Sequence, residues 1–258
     1  MHGVCPDDVP ASKEPIATRR GVVNVPVVSK SSLWLKLVGG VVWSGAFFGA
    51  PLFLGAWTLH WPRAWIFLGV VLVASSVTMF GIFPSRPDLL EERYKAPIQK
   101  QQPVADAIVT LLLAGSFLGL VVFIPLDVFR LHWLGTTGTS VASVGLVLFA
   151  AGWTTLALAL RENAFAAPIV KTQQERGQFV VQTGPYRFVR HPMYAGAIPL
   201  MTGMPLWLGS TAGVLLAAVP LSFIVLRLLI EERVLRVELP GYEAYTRVVR
   251  WRLIPFVW

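Results

Sequence analysis

Four long apolar runs, Leu33–Leu59, Ala64–Phe83, Val104–Leu126 and Ser140–Leu160, limit what this chain can fold into. Each can cross about 30 Å of hydrocarbon as a helix rising about 1.5 Å per residue. Inside lipid every backbone N–H and C=O must be satisfied within the chain, so runs of this length commit it to helices. A fifth apolar region, Ala195–Ile230, has 36 residues and is interrupted at "WLGST", residues 207–211. That is too long for one crossing, and Gly209–Ser210 is a turn signal, so a helical hairpin is expected. The reading is an all-α polytopic membrane protein of about six membrane segments. Composition agrees: 55% of residues are hydrophobic and only 14% charged, outside the soluble globular range.

Charge placement tests this path, because a wrong span count would scatter basic residues over both faces. Of the 22 lysines and arginines, 18 fall on the side of the amino terminus, while Arg63 and Arg130 fall opposite and Lys36 and Arg227 lie within or beside runs. Cytosolic loops collect Lys and Arg, so both termini and the longer loops are expected in the cytosol. The outer turns, "LHWPRAW" and "RLHWLG", carry interfacial tryptophan and histidine. Because the basic residues are separated by spans, the expected partner is the bilayer and not nucleic acid. Residues 1–32 mix prolines with charges and hold no apolar run of signal-peptide length, which reads as a flexible cytosolic tail. The single cysteine, Cys5, leaves no disulfide framework or cysteine-built zinc site. The four leading runs read as free of ionisable residues well inside, with Lys36 near an end, which argues against an ion-coupled transporter.

The chemistry-bearing residues gather in the last hundred residues. The loop Arg161–His191 is the longest between spans, and "GQFVVQTGPY" combines a β-prone "FVV" with a turn signal, so a folded cap is expected. His191 precedes Pro192, and proline favours the first turn of a helix, which places His191 at a helix amino terminus whose free N–H groups attract anions. Alone, Arg187, Arg190 and His191 read as a headgroup anchor rather than a site, and Tyr186 and Tyr194 as belt aromatics. Gly196 either packs helices or admits a ligand. In "RLLIEER", residues 227–233, Arg227 and Glu231 share one helix face and Glu232 lies about a quarter-turn round. The competing reading is a snorkelling arginine with a solvated acidic pair. The second hairpin arm is expected to run to Leu239, where Pro240–Gly241 stops it, bringing Glu231 back near His191. A zwitterionic ligand bearing a sulfonium needs an N–H-rich pocket for its carboxylate, a carboxylate for its ammonium or ribose, and aromatic faces for its sulfur. His191, Glu231, Tyr186 and Tyr194 supply these, and no metal is required.

"GPYRFVRHPMYAG", followed by "RLLIEER" and "GYEAYTRVVRWRLIP", resembles the isoprenylcysteine carboxyl methyltransferase family of integral-membrane, S-adenosylmethionine-dependent enzymes. The resemblance covers roughly residues 160–258. It implies that Tyr186, His191, Pro192 and Tyr194 contact S-adenosylmethionine, that Glu231 reaches it from the second arm, and that Arg227 faces the methyl acceptor. Gln178–Val181 would line the pocket through backbone, with Gln178 standing where histidine is frequent in the family. Glu232, Tyr242 and Tyr245 also match family positions. A soluble methyltransferase would need a glycine-rich strand-to-helix turn, and none is present.

An ionised carboxylate attacks a methyl sulfonium without a general base, whereas a thiol or ammonium must first lose a proton. No unambiguous base is visible, although His191, Tyr194 or Glu232 could serve, so a carboxylate acceptor is expected. Phospholipid amines and small thiols are the alternatives, and a non-catalytic protein retaining the fold is the alternative of another class. Three divisions follow: a tail (1–32), four spans (33–160) and a methyltransferase core (161–258).

Overall fold

The computed structural model describes residues 30–99, 102–173 and 176–258. Its helices are α1 (Lys30–Ala56), α2 (Pro62–Gly81), α3 (Pro87–Tyr94), α4 (Val104–Leu126), α5 (Thr139–Glu162), α6 (Pro192–Leu208), α7 (Thr211–Leu216), α8 (Ala218–Glu238) and α9 (Tyr242–Val248). No strand occurs among the described residues, so the chain is an all-α polytopic membrane protein. The expected tail and Cys5 fall almost wholly outside the described residues.

Among the described residues five helical stretches are long and apolar enough to cross a membrane: Ser31–Ala56, Pro62–Ser85, Val104–Leu131, Thr139–Glu162 and Thr211–Glu238. The expected sixth segment is α6, and it has 17 residues. At about 1.5 Å per residue it reaches roughly 25 Å, short of a full crossing. Its ends explain its length. Pro192 occupies the first turn, where its missing N–H costs nothing, and Gly209 closes the helix at φ +100°, a left-handed conformation that a side chain resists. Ser210 then caps α7 by accepting from Gly213 N at 2.9 Å. The hairpin break at Gly209–Ser210 and the stop after Glu238 therefore lie where the sequence placed them.

The hairpin differs from expectation in its packing. α6 lies mainly along α5, and α8 lies mainly along α4, so the two arms barely touch. The cause is a glycine seam. Gly145 and Gly152 on α5 face Gly203 and Gly196 on the antiparallel α6, each pair two turns from the next, which lets the backbones meet. A Cβ on Gly152 would stand 2.5 Å from Gly196 O, and one on Gly145 2.6 Å from Trp207 N. Beside this seam Phe67 packs between Phe48 and Phe149, with ring centroids 5.5 Å and 4.7 Å away.

Two further elements set the ends of the bundle. Between α2 and α4 the chain forms the short polar helix α3, at the same end as the 163–191 loop, to which Lys171–Glu92 ties it at 2.9 Å. Burial alone would raise the Glu92 carboxyl, but hydrogen bonds from Lys95 and Lys171 hold it below its ordinary value. At the opposite end Asp127 accepts from Ser210 Oγ at 2.6 Å, and Trp207 Nε1 donates to Arg63 O at 2.8 Å. The "FVV" segment forms no strand, because no neighbouring chain offers it a ladder partner; Val180 and Val181 instead turn toward a cavity.

The seam yields a paired prediction. Gly152→Ala should destabilise the protein by about 1–3 kcal/mol despite alanine's better helix propensity, because the methyl strikes backbone. Gly115→Ala, where a Cβ meets nothing within 4 Å, should be neutral or slightly stabilising. Thermal unfolding in detergent reads both, and equal midpoints for the two variants would contradict the seam.

Candidate active site

A cavity of about 260 Å³ opens between the 163–191 loop, the start of α6, the end of α8 and α9. Among its lining residues are Gln178, Val181, Tyr186, His191, Tyr194, Arg227 and Glu231. The sequence thus named side chains from three separate segments that the fold brings to one place.

Each wall has a local cause. On α8, Arg227 and Glu231 are one turn apart and both face the cavity. On the α6 side, His191 N donates to Arg252 O at 3.0 Å and Arg190 N to Trp251 O at 2.9 Å. These two backbone bonds strap the carboxyl-terminal tail beneath the α6 entry. Tyr194 OH donates to Glu231 Oε2 at 2.6 Å, and the Tyr194 ring stacks on His191 with centroids 5.7 Å apart. Tyr186 OH accepts from Asn163 Nδ2 at 3.1 Å, while Tyr245 OH donates to Tyr186 O at 2.7 Å. Burial raises the hydroxyls of Tyr186, Tyr242 and Tyr245 well above the ordinary phenol range. They stay protonated at physiological pH and act as hydrogen-bonding groups, not bases.

Three expected site residues do not line the cavity. Glu232 is only 4% exposed and points to the tail side, pairing with Arg190 Nε at 3.0 Å and accepting from Arg252 Nε at 2.8 Å. His191 Nε2 lies 3.4 Å from the same carboxylate. The quarter-turn between Glu231 and Glu232 separates their duties: one carboxylate faces the cavity and the other neutralises two arginines. Pro192 is buried at the helix start and serves α6's geometry. Gly196 belongs to the seam, where a Cβ would stand 2.8 Å from Gly152 O, so it admits a helix and not a ligand. Gln178 lines the cavity, but its Oε1 is engaged by Gln173 N at 2.6 Å.

The chief residue missed from sequence is Asp106. Asp106 lies in the first turn of the third run, not well inside it, yet it is 0% exposed. Its carboxylate accepts from Arg227 Nε at 3.1 Å, Val170 N at 3.0 Å and Gln102 Nε2 at 2.6 Å. Arg227 also donates to Pro168 O. It neither snorkels nor pairs with Glu231 on its own helix. The available signal was an aspartate one turn into an apolar run, which is expensive in lipid unless partnered. Arg93 was missed as a cavity residue too; its Nη1 donates to Ala166 O at 3.0 Å.

As a donor set, the cavity fits a sulfonium-bearing amino acid nucleoside. Glu231 offers a carboxylate oxygen, Tyr186, Tyr194, Tyr242 and Tyr245 offer aromatic faces, and Val181 and Val234 supply apolar contact.

Removing either partner of the Asp106–Arg227 pair leaves a buried charge uncompensated, at a cost of about 3–5 kcal/mol. Asp106→Asn and Arg227→Gln should each lower the thermal midpoint in detergent, and the double variant should lose clearly less than the sum. Strict additivity would show that the pair does not couple α4 to α8.

Residues 141–238 match the family model for phospholipid methyltransferase (PEMT). No curated protein matches the chain. The matched stretch begins within α5 and ends with α8, so it carries Tyr186, His191, Tyr194, Arg227 and Glu231 but stops before α9. The family is one of integral-membrane methyltransferases related to the isoprenylcysteine carboxyl methyltransferases, and the match does not single out the latter. From α5 to the end of α8, this membrane protein is therefore similar to the membrane methyltransferases.

Proposed function

We propose that the protein is a membrane methyltransferase that takes its methyl group from S-adenosylmethionine, bound in the cavity between the 163–191 loop and α8. The observation that carries this reading is the meeting of Glu231, Tyr194 and His191 at one cavity within a stretch similar to membrane methyltransferases. When bound, the cofactor would supply an electrophilic methyl on a sulfonium. The chain's own residues hold and shield it. Glu231 accepts from Tyr194 and keeps an oxygen for an ammonium or ribose hydroxyl, while His191 and the first turn of α6 present donors to a carboxylate. Held against the aromatic walls, the methyl group would be aligned with its acceptor, and that alignment contributes much of the rate.

The acceptor we favour is a carboxylate, as in isoprenylcysteine. Burial keeps Tyr186 and Tyr242 protonated and Glu232 is spent on two arginines, which leaves His191, itself 3.4 Å from Glu232, as the cavity's remaining imidazole base. A carboxylate needs none. The guanidiniums of Arg93 and Arg227 also give the wall positive charge. Methylation of a phospholipid amine is the second reading, favoured by the family match. We place this end of the bundle in the cytosol, because 18 of the 22 basic residues fall on its side of the path.

Isothermal titration with S-adenosylhomocysteine tests the cofactor assignment. Wild type should bind, and Glu231→Gln and His191→Ala should each weaken binding roughly tenfold or more, which corresponds to about 1.4 kcal/mol. Near-UV circular dichroism confirms that the variants are folded. Unchanged affinity in both would overturn the site, and absent binding by folded wild type would overturn the enzyme reading.

A further inference from the structure

A second cavity, of about 900 Å³, lies between α1, α2 and α3. Its α1 wall recurs at Ser32, Lys36, Gly39 and Trp43, the three-to-four-residue spacing of a single helix face. That face rises roughly 15 Å into the bundle at about 1.5 Å per residue. The polar residues sit at the end nearest the active site, where Lys36 pairs with Glu91 and Tyr94 OH donates to Lys36 O at 2.5 Å. Farther in, Trp43 and Met79 make the lining apolar. The groove is therefore graded, polar at one end and greasy along its length.

Arg93 lines both this groove and the active-site cavity. Among the described residues no carboxylate stands within ion-pair distance of it, because those on α3 are already engaged. Asp88 pairs with Arg176, Glu91 with Lys36, and Glu92 with Lys95 and Lys171. The other cavity guanidinium, Arg227, already has Asp106. Arg93 is partly exposed and lines both cavities, so among the described residues its guanidinium is placed to meet an anion that enters either one.

We propose that Arg93 binds the reacting carboxylate of a lipid-tailed acceptor whose apolar chain lies in the α1–α2–α3 groove. This rests on the methyltransferase reading above. Lining both cavities makes it a specificity-determining residue: the head of the acceptor is held at Arg93, and the groove selects the length of its tail. In the transfer, a carboxylate oxygen forms the new C–O bond as the C–S bond of the sulfonium breaks, and that bonding pair goes to sulfur. The two charges cancel and no proton moves. A carboxylate is the favoured head because the anchored anion and the nucleophile are then the same group, with one oxygen held and the other free to attack.

The test uses the full chain in nanodiscs, with N-acetyl-S-farnesylcysteine as the long-tailed probe and N-acetyl-S-prenylcysteine as the short one. Arg93→Gln should leave S-adenosylhomocysteine affinity within about twofold and raise KM for both probes roughly tenfold or more, with Arg93→Lys recovering part of the loss. Gly39→Leu places a branched side chain in the groove, where a Cβ meets only Tyr94 Oη at 3.9 Å. It should raise KM for the farnesyl probe and spare the prenyl one. Weakened S-adenosylhomocysteine binding in Arg93→Gln would overturn the proposal by assigning the guanidinium to the cofactor. Equal effects of Gly39→Leu on both probes, or none on either, would remove the chain from the groove. Wild type that binds S-adenosylhomocysteine and methylates phosphatidylethanolamine vesicles, but neither cysteine derivative, would overturn the acceptor while leaving the methyltransferase reading intact.

Discussion

The ion pair between Asp106 and Arg227 is the contact on which the active end of the protein depends. It joins the start of α4 to α8, and through Val170 N and Pro168 O it fixes the loop that roofs the cavity. A charge at this depth is tolerated only with its partner and its remaining hydrogen bonds in place. Asp106 has all of these. The consequence is positional: Arg227 cannot turn away, so Glu231, one turn on, is held toward Tyr194 and the cavity.

A second constraint works from the other side. The glycine seam binds α6 to α5, while α8 is bound to α4, so the two arms of the hairpin belong to different halves of the bundle. His191 and Tyr194 ride on one arm, Arg227 and Glu231 on the other. The cavity lies at the gap that remains where the arms part, and the carboxyl-terminal strap at Trp251 and Arg252 holds two of its lining residues, Arg190 and His191, by their backbone N–H groups. Glu232 is the keystone of that strap, answering Arg190 and Arg252 together.

Much of this was readable from the residues in order. Apolar run lengths gave the long helices, Pro192 and Gly209 gave the ends of α6, and the one-turn spacing of Arg227 and Glu231 gave the shared cavity face. What escaped was what depends on partners distant in sequence. Asp106 and Arg227 are 121 residues apart, and nothing local to either announces the other. Gly196 and Glu232 were legible as special positions, but which neighbour each would meet was set by helix pairing. The Phe179–Val181 segment misled because β propensity describes a strand that has somewhere to pair, and this one has only a cavity wall.

The shortness of α6 is matched by its place in the bundle. Ten of its 17 residues are buried and none is exposed, so its neighbours shield it and it does not itself have to span the hydrocarbon. Non-helical backbone at either end can therefore lie below the level of the longer helices, because protein and not lipid surrounds it.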